Sequence, residues 1–235
     1  MSMPILFETP YRALVLGASG AIGGAFVELL RSDPHCEHIE AISRQSNAGF
    51  DLTDEASIRA QAEQAKASGP YQLIVDATGA LSIDGQGPEK SLSQLSQAKL
   101  MNAMSINAID PLLVLQHFAG LLADGHAIYA KLSARVGSIS DNQLGGWYGY
   151  RGSKAALNMY LQTAAIELQR RQPLCKVVAL QPGTVDSALS RPFQAGVRQL
   201  LTPEESVRGM VEALRTLTPK KGAHFIDHRG HEIAW

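Results

Sequence analysis

The sequence predicts an α/β fold in which helices cover both faces of a doubly wound, predominantly parallel sheet. Short apolar runs rich in β-branched residues alternate with longer segments that have helical spacing. A glycine-rich turn joins the first run directly to the first helical segment. This alternation is typical of right-handed βαβ units, whose strands are buried on both sides. A fold class does not give a function, which has to be argued from sites.

Six apolar runs are the predicted strands. In chain order they are ALVLG (13–17), HIEAIS (38–43), YQLIVDA (71–77), HAIYAKLS (126–133), KVVALQ (176–181) and AHFID (223–227). Helices are predicted near 21–32, 54–67, 98–122, 151–171 and 203–217. Thr53 before Asp54 and Glu55 marks one helix start, because it places an N-cap ahead of acids in the first turn. No repeat, low-complexity tract or polar linker divides the chain, so residues 1–235 are predicted to form a single domain.

The composition excludes several classes of protein. Hydrophobic residues make up 45% of the 235 residues and charged residues 18%, which indicates a globular chain. The 21 Lys+Arg nearly cancel the 22 Asp+Glu, and no basic stripe points to nucleic acid. Two cysteines in no paired motif, Cys36 and Cys175, fit a reducing compartment. The first residues contain neither a basic leader region nor an apolar run long enough for a membrane span, so we expect a cytoplasmic protein without a membrane partner.

The glycine-rich turn after the first predicted strand is Gly17-Ala18-Ser19-Gly20-Ala21-Ile22-Gly23. Glycines let the backbone turn tightly and let a pyrophosphate approach the next helix, whose free N–H groups and dipole favour anions. A glycine cluster alone is also compatible with a purely structural turn. Its place in the first βα unit of a βαβ series favours dinucleotide binding. The predicted contacts are Gly17, Ser19, Gly20, Ala21, Ile22 and Gly23.

The end of the second predicted strand bears on which dinucleotide binds. A ribose 2′-hydroxyl is usually held by an acidic residue about 20 residues after the glycines. Ser43 and Arg44 occupy that place, and no carboxylate follows until Asp51. An arginine there suits a 2′-phosphate, since its fork of N–H groups matches phosphate oxygens. The sequence therefore favours NADP(H) and leaves NAD(H) open; the alternative for Arg44 is a solvated surface arginine.

Tyr150 and Lys154 are four residues apart near the start of the helix predicted at 151–171. Side chains at i and i+4 share a helix face, so the phenol and the ammonium can point into one pocket. A tyrosine ionises at about pH 10, and a nearby lysine cation lowers that pKa by stabilising the phenolate. The pair is typical of a proton-transfer centre, although the spacing also occurs without a catalytic role. Tyr148 lacks such a partner, because Gly152 stands four residues after it.

The order of these motifs resembles the short-chain dehydrogenase/reductase superfamily. The glycine-rich turn, Asn107 in SINAIDPLL, Tyr150 with Lys154, and Pro182-Gly183 in LQPGTVDS carry the resemblance. The stretches DATGAL, GPEKSL, SARVGSISDN, YGYRGSKAALN and PGTVDSALSRPF are similar to its bacterial C-factor-like branch. The resemblance covers essentially the whole chain. It implies a Rossmann-type sheet of seven strands, hydride transfer to or from a nicotinamide, and a small-molecule carbonyl/alcohol substrate pair.

The resemblance also implies a role for individual residues. Tyr150 would be the acid/base, Lys154 would hold the nicotinamide ribose and tune Tyr150, and Asn107 would anchor a water in a proton relay. Asp51 and Leu52 would contact the adenine. The cofactor cleft and the nicotinamide would be lined by Ala77, Thr78, Gly79, Pro182, Gly183 and Val185.

Two departures from the superfamily pattern concern the site. The turn places its middle glycine one residue early, at Gly20, with Ala21 next. Many relatives have their catalytic serine as the second of a Ser-Ser pair, three residues before a glycine. Counting back from Gly137 reaches Ala134 and leaves Ser133 one residue off, which matters because neighbouring strand side chains face opposite ways. We assign carbonyl polarisation to Ser133, brought into place by a bend at the strand end, with a structural serine as the alternative.

Three interpretations of the function stay open. The first is an NADPH-dependent carbonyl reductase, the second a dinucleotide-binding sensor or signalling protein of C-factor type with little turnover. The third, a nucleotide-sugar epimerase-like enzyme, is disfavoured because the chain leaves no room for an added substrate domain. Tyr150 and Lys154 favour the first, since a binding scaffold has no need of the phenol. Trp147 and Phe193 flank the expected pocket mouth, where they shape an apolar substrate site or simply pack.

Four residues near the C-terminus raise the question of a metal site. They are His224, Asp227, His228 and His231. Because they have no cysteine partners and no known ligand spacing, we predict solvated surface histidines and no metal.

Two predicted helices carry more apolar residues than one sheet face needs to bury. The runs are LLVLQHFAGLL, within 98–122, and AALNMYLQTAAI, within 151–171. Members of the resembled superfamily pair through these helices, and two-fold symmetry is the common solution. We therefore expect a homodimer or a homotetramer.

Overall fold

A computed structural model describes residues 6–47, 49–83, 85–195 and 199–235 of the chain. Within these ranges six strands form one sheet. They are β1 (Tyr11–Leu16), β2 (Cys36–Ile42), β3 (Leu73–Asp76), β4 (Ile128–Leu132), β5 (Lys176–Gln181) and β6 (His224–Asp227). Each strand overlaps one of the predicted apolar runs, so the α/β alternation is confirmed.

The order of the strands creates a crevice at one edge of the sheet. The order is β2-β1-β3-β4-β5-β6, and all neighbours are parallel. The winding direction reverses between β1 and β3, whose last residues, Leu16 and Asp76, lie side by side. Ligands of such sheets bind outside the carboxyl ends of the strands at this switch point. The predicted glycine-rich turn therefore lies where a ligand is expected.

Helices cover both faces of the sheet, as the sequence predicts. They are α1 (Ala21–Arg31), α2 (Glu55–Ala65), α3 (Gln97–Met104), α4 (Asp110–Phe118), α5 (Tyr148–Leu168) and α6 (Pro203–Thr216). Phe26 of α1 and Met210 of α6 belong to the core on one face. Ile58 of α2, Phe118 of α4 and Leu161 of α5 belong to the core on the other face.

Strand β1 shows how the sequence produces burial on both sides. Ala13 and Val15 join the core of α1 and α6, whereas Leu14 and Leu16 join the core of α2, α4 and α5. All four side chains are fully buried. A strand covered on both faces has no polar alternation, which is why the run ALVLG is continuously apolar.

The seventh strand implied by the family resemblance is not found among the described residues, so the predicted strand count is wrong. After β2 the chain turns back on itself. The Asn47 amide donates to the Ser43 carbonyl at 2.9 Å, and the Ser43 amide donates to Ser46 Oγ at 3.1 Å. Gly49 follows with a φ of +88°, and the Phe50 amide donates to the Asn47 carbonyl. Backbone groups that bond locally are not available to a sheet ladder, so the sheet ends at β2.

The helix predicted over 98–122 is divided in the structure. A π-helical turn over Ser105–Ile109 separates α3 from α4. Pro111, near the start of α4, has no N–H to donate to the carbonyl of Asn107 four residues earlier. The Asp110 amide instead donates to the Ser105 carbonyl, which is the five-residue step of a π-helix. Such turns inside longer helices are frequent at functional sites, and this one carries Asn107.

Two helices begin at other residues than predicted. The N-cap of α2 is Asp54 and not Thr53, because the Asp54 carboxylate accepts from the Ala56 amide at 2.9 Å. Helix α5 begins three residues before the predicted 151. Tyr150 therefore lies inside the first turn of α5.

Two surface features bear on localisation and assembly. No helix in the part of the chain described by the structure is both long and apolar enough to cross a bilayer. Residues 1–5, on which the expectation about the N-terminal segment partly rests, lie outside the described residues. Met101 of α3 and Met159 of α5 are 61% and 63% exposed on the helices for which pairing between copies is expected. The oligomeric state stays a prediction.

Candidate active site

The glycine-rich turn brings the end of β1 close to the start of α1. Gly17 has a φ of +78°, a conformation that residues other than glycine rarely adopt. A Cβ at Gly23 would lie 2.2 Å from the Gly17 carbonyl oxygen, so only glycine lets the helix pack this closely. Gly20 is the N-cap of α1, and no side chain there accepts from the first-turn N–H groups. The end of α1 can therefore offer these groups to an anion.

A cavity of about 310 Å³ opens in front of this turn, at the carboxyl ends of β1, β2 and β3. Four separate parts of the chain contribute predicted cofactor residues to its lining: Gly17, Ser19, Gly20, Ser43, Arg44, Asp51, Leu52, Ala77, Thr78 and Gly79. The structure thus assembles most of the predicted dinucleotide contacts into one crevice. Ala21 and Gly23 do not line it; the second of them serves the close packing of α1.

The end of β2 offers one arginine, while its serine is already engaged. Arg44 is exposed at the wall of the crevice. The Ser43 hydroxyl lies 2.8 Å from Ser46 Oγ and accepts from the Ser46 amide at 3.1 Å. The Asp51 carboxylate accepts from the amide and the hydroxyl of Thr53, both at 2.9 Å, and these bonds hold its pKa below the usual range. Arg44 is therefore the group at this end that suits a phosphate.

A second cavity, of about 510 Å³, is lined by several of the remaining predicted cofactor and catalytic residues. Its lining includes Ile22, Ser133, Tyr150, Pro182, Gly183 and Val185. The ring centroid of Trp147 lies 5.4 Å from that of Phe193 and 6.1 Å from that of Tyr150. Leu81, Leu144 and Leu189 extend this apolar wall. The phenol thus stands at the edge of an aromatic and aliphatic pocket, which suits an apolar substrate.

Tyr150 and Lys154 lie one turn apart on α5. Lys154 Nζ is 5.8 Å from the Tyr150 ring centroid and donates to the Leu132 carbonyl at 3.2 Å. Burial raises the pKa of Tyr150 to about 12 and lowers the pKa of Lys154 to about 7. Burial thus dominates the pKa of the phenol in this structure, and the lowering of that pKa by Lys154 stays a prediction. Tyr150 keeps its proton at neutral pH, and Lys154 changes charge there.

Ser133 lines the same cavity as Tyr150, but its hydroxyl is engaged. Ala134 is extended, with a φ of −152° and a ψ of 144°, so the expected bend does not occur at this residue. The Ser133 hydroxyl donates to Asn158 Oδ1 at 2.6 Å, one turn beyond Lys154 on α5. The Nδ2 atom of Asn158 is buried and has no hydrogen-bond partner among the residues that the structure describes. The structure thus directs the Ser133 proton at Asn158.

Asn107 fastens the chain just after β3. Its Nδ2 donates to the Ala80 carbonyl and its Oδ1 accepts from the Ala80 amide, both at 2.9 Å. A Cβ at Gly79 would lie 3.2 Å from Asn107 Oδ1 and 3.5 Å from Lys154 Nζ, so these groups converge there. Asn107 and Tyr150 also line a third cavity, of about 260 Å³. The role of Asn107 as a water anchor stays a prediction.

Glu89 is a site residue that the sequence analysis missed. The N-cap of α5 is Trp147, which has a left-handed φ of 55° and provides no side-chain cap. Glu89 supplies one from 60 residues away: its Oε2 accepts from the Gly149 amide at 3.0 Å, and its carbonyl accepts from the Trp147 amide. A Cβ at Gly149 would lie 3.2–3.3 Å from both carboxylate oxygens. The buried carboxylate therefore holds the turn that carries Tyr150, at the helix end where a negative charge is favourable.

Glu89→Ala should lower the free energy of unfolding by about 1–2 kcal/mol, because it removes a helix cap and leaves the Gly149 N–H buried. Glu89→Gln should keep most of the stability, since an amide oxygen also accepts. Urea unfolding of the two variants measures the difference. Glu63→Ala, at an exposed residue of α2, serves as the control and should change little. Equal stability of wild type and Glu89→Ala would contradict the capping role.

The histidines near the C-terminus differ from the prediction at two positions, because His224 is buried and His228 is half-buried. His224 is only 4% exposed and is not a solvated residue; burial lowers its pKa to about 4, so it is neutral. The reason is that β6 is covered on both faces. His231 is exposed, and its Nδ1 lies 3.4 Å from Asp227 Oδ2. Among the described residues no group of three or more His, Cys, Asp and Glu has an arrangement that could hold a metal ion.

The sequence is similar to known proteins over most of its length. A family profile described as short chain dehydrogenase matches residues 12–197. C-signal of Myxococcus xanthus is 31% identical over 169 residues, which are 72% of this chain and 95% of that protein. The 1-hydroxy-2-glutathionyl-2-methyl-3-butene dehydrogenase of Rhodococcus sp. (strain AD45) is 29% identical over 192 residues, 80% of this chain and 79% of that protein.

The fold is also similar to a solved structure along nearly its whole length. NADPH-bound carbonyl reductase from chicken fatty liver superposes with a TM-score of 0.84 at 25% identity. The superposition covers 99% of this chain and 96% of the carbonyl reductase. The crevice and the adjoining pocket therefore belong to a fold that holds NADPH in another protein.

Proposed function

This chain belongs to the short-chain dehydrogenase family, in its C-factor-like branch, and we propose that it is an oxidoreductase that uses NADP(H) to reduce a carbonyl compound or to oxidise the matching alcohol. The observation that supports this proposal is the position of the Tyr150 phenol. It lines the apolar pocket that also contains Pro182 and Gly183, next to the crevice at the glycine-rich turn. A proton donor beside a dinucleotide crevice is what carbonyl reduction requires.

In this proposal the first-turn N–H groups of α1 hold the pyrophosphate, and the residues of the two cavities hold the rest of the cofactor. The start of α1, which has no side-chain cap at Gly20, and the closely packed glycine turn at Gly17 fit a pyrophosphate. When bound, the cofactor supplies a hydride from its nicotinamide ring, or accepts one. Ala77, Thr78 and Gly79 form the wall of the crevice on the β3 side.

Tyr150 provides the proton. In carbonyl reduction the phenol gives its proton to the carbonyl oxygen as the carbonyl carbon gains a hydride, so that an alcohol forms and a phenolate remains. The raised pKa of Tyr150 keeps the phenol protonated at neutral pH, which is the form that an acid needs. A protonated Lys154 stabilises the phenolate until solvent returns the proton.

Ser133 polarises the carbonyl in this scheme after a change at Asn158. Rotating the Asn158 amide by half a turn exchanges its oxygen and nitrogen, so that Nδ2 donates to Ser133 Oγ. The rotation gives the buried Nδ2 a partner and releases the hydroxyl proton of Ser133 for a substrate oxygen. The alternative is a structural serine that ties β4 to α5.

A second candidate is a dinucleotide-binding sensor or signalling protein with little turnover. The engaged Ser133 hydroxyl and the similarity to C-signal favour it. Turnover separates the two functions. Purified protein mixed with NADPH and a panel of aldehydes, ketones and quinones should consume NADPH, followed by its absorbance. Binding of NADPH without oxidation by any of these compounds would support the sensor.

NADPH should bind at least tenfold more tightly than NADH, and Arg44→Ala should remove most of the difference. The guanidinium can donate two hydrogen bonds to a 2′-phosphate, and charge-assisted bonds contribute roughly 1.5–3 kcal/mol each before solvent exposure reduces them. NADH, which lacks this phosphate, should be little affected. Titration calorimetry gives both dissociation constants for each protein.

The control for this prediction is Arg171→Ala, which removes the same charge from the turn that follows α5. It should leave both affinities unchanged. Equal affinities for NADPH and NADH in the wild type would refute the selection argument. A preference that survives in Arg44→Ala would mean that another residue selects the cofactor.

A further inference from the structure

A buried ion pair lies between the two central strands, directly behind the crevice. Lys131 of β4 stands opposite Asp76 of β3 in the sheet register, and their side chains are 1% and 0% exposed. A charged pair in the middle of a sheet is costly to bury, since both groups lose their hydration. Neither residue is among those that line the cavities at Tyr150 and at the glycine-rich turn.

Lys131 has an acceptor for each of its three N–H bonds. Its Nζ donates to Asp76 Oδ1 at 2.9 Å, to the Thr78 carbonyl at 2.7 Å and to Thr78 Oγ1 at 2.9 Å. Asp76 Oδ1 in turn accepts from the Thr78 amide at 2.9 Å and from the Thr78 hydroxyl at 2.6 Å. This arrangement suits an ammonium and a carboxylate: burial lowers the pKa of Lys131, and the carboxylate of Asp76 acts against that shift.

The bonds of Lys131 hold the turn that forms the β3 side of the crevice. Thr78, which takes two of them, lies in the crevice lining between Ala77 and Gly79. Just beyond, Asn107 fastens the backbone of Ala80. The turn is therefore fixed at both ends, and Lys154 Nζ lies 3.5 Å from the place that a Cβ of Gly79 would take.

Lys154 is bound much less firmly than Lys131. Its one hydrogen bond among the described residues goes to the Leu132 carbonyl. The groups that face it are Tyr150 on its own helix, Lys131 on β4 and Asp76 on β3. Burial lowers the pKa of Lys154 most, the charge of Lys131 lowers it further, and Asp76 raises it. The pKa of Lys154, about 7, therefore lies close to neutral pH.

We propose that Lys131 is a positioning residue for the proton-transfer pair: it fixes the turn at Thr78 against the cofactor crevice and sets a second positive charge behind Lys154. Lys131 touches neither the phenol nor the cavity next to it and acts through Thr78 and Lys154. This role rests on the proposed function, in which Lys154 stabilises the phenolate of Tyr150. Its test does not, because the charge state of Lys154 can be followed without any turnover.

The test is an NMR titration of the full chain with labelled lysine side chains. The Lys154 signal is identified by its loss in Lys154→Met. In Lys131→Met the titration midpoint of Lys154 should rise by about one unit, because a repelling charge is lost and the carboxylate of Asp76 remains. In Asp76→Asn the midpoint should fall, because the attracting charge is lost and Lys131 remains.

The opposite directions of the two expected midpoint shifts distinguish an electrostatic effect on Lys154 from a general loosening of the fold. A variant that only loosens the core lets water reach Lys154 and moves the midpoint up in both cases. An unchanged midpoint in Lys131→Met, or an upward shift in both variants, would overturn the proposal.

A second pair of variants covers the case in which the single charge changes prevent folding. Lys131→Arg keeps the charge and should keep the low midpoint of Lys154. The double variant Asp76→Asn/Lys131→Met has no unpaired charge and should show a higher midpoint than the wild type, since the repulsion by Lys131 exceeds the attraction by Asp76. Equal midpoints in these two variants would refute the electrostatic role. If turnover is found, the pH at which kcat/KM changes should be ordered among the variants in the same way as the titration midpoints of Lys154.

Discussion

Tyr150→Phe is expected to lower kcat for carbonyl reduction by at least about 1000-fold, because it removes the proton that the substrate oxygen must receive. The ring itself, its contact with Trp147 and its place in α5 are retained by phenylalanine. The dissociation constant of NADPH should therefore change less than about twofold, since the hydroxyl group is a minor part of the crevice. Steady-state kinetics and a fluorescence titration measure the two quantities.

Tyr148→Phe is the matched control for this prediction. Tyr148 is exposed, lies two residues earlier on the same helix and has no lysine one turn further on. Its variant should keep full activity. Activity of Tyr150→Phe within a few-fold of the wild type would mean that another group donates the proton, and the proposed mechanism would fall with it.

Lys154→Met should make the protein less active and, at the same time, more stable at neutral pH. The folded chain binds this proton with a pKa of about 7, whereas the ordinary value for a lysine is 10.5. Keeping Lys154 buried therefore costs free energy at pH 7, about 1.4 kcal/mol for each unit of the shift. Methionine is similar in length to lysine and carries no charge. We therefore expect the free energy of unfolding to increase by roughly 2–4 kcal/mol, after the loss of the Leu132 hydrogen bond is subtracted.

The pH dependence gives this prediction its sign. Between about pH 7 and 10.5 the unfolded chain holds a proton that the folded chain lacks, so the free energy of unfolding of the wild type should rise with pH. Lys154→Met should lack this rise. Denaturant titrations at pH 7 and pH 9.5 measure both slopes, with the exposed Lys66→Met as the control. A destabilised Lys154→Met at pH 7 would show that the cation contributes to stability and is not held at a cost.

The fold could be predicted from the sequence because its strands are short, apolar and separated by helical periodicity. The run ALVLG and the turn after it sufficed to locate β1, the start of α1 and the crevice between them. The seventh strand could not be excluded, because whether residues 43–50 pair with β2 depends on side-chain bonds such as that of Ser46. The π-helical turn was equally hidden, although Pro111 provided a signal for it.

The site was predictable where its residues are close in sequence and not where they meet across the fold. The spacing of Tyr150 and Lys154 could be read directly. Glu89, which caps their helix, is 60 residues away from its partner, and the pairing of Asp76 with Lys131 spans 55 residues. Local patterns contain no information about such contacts. The effect of burial on the pKa of Tyr150 could not be predicted for the same reason, since burial depends on the whole chain.

The register of Ser133 shows a third limit. Counting along the sequence identified the one-residue offset, but not the partner that the hydroxyl would find. That partner, Asn158, is on another element and lies one turn beyond Lys154. The serine thus lines the pocket next to Tyr150, while its hydroxyl bonds to a buried asparagine that a motif search treats as an unrelated position.

The edge-to-face contact between Trp147 and Phe193 places a fluorescent side chain at the pocket. The chain has only two tryptophans, and the other, Trp235, packs against Phe225 of β6. Trp147 is held by the first turn of α5, whereas Phe193 belongs to the segment that follows Val185. The fluorescence emission of Trp147 therefore depends on the position of the Phe193 ring. In a protein with Trp235→Phe, the remaining indole becomes an intrinsic optical reporter of substrate entry, with no added dye and no need for turnover.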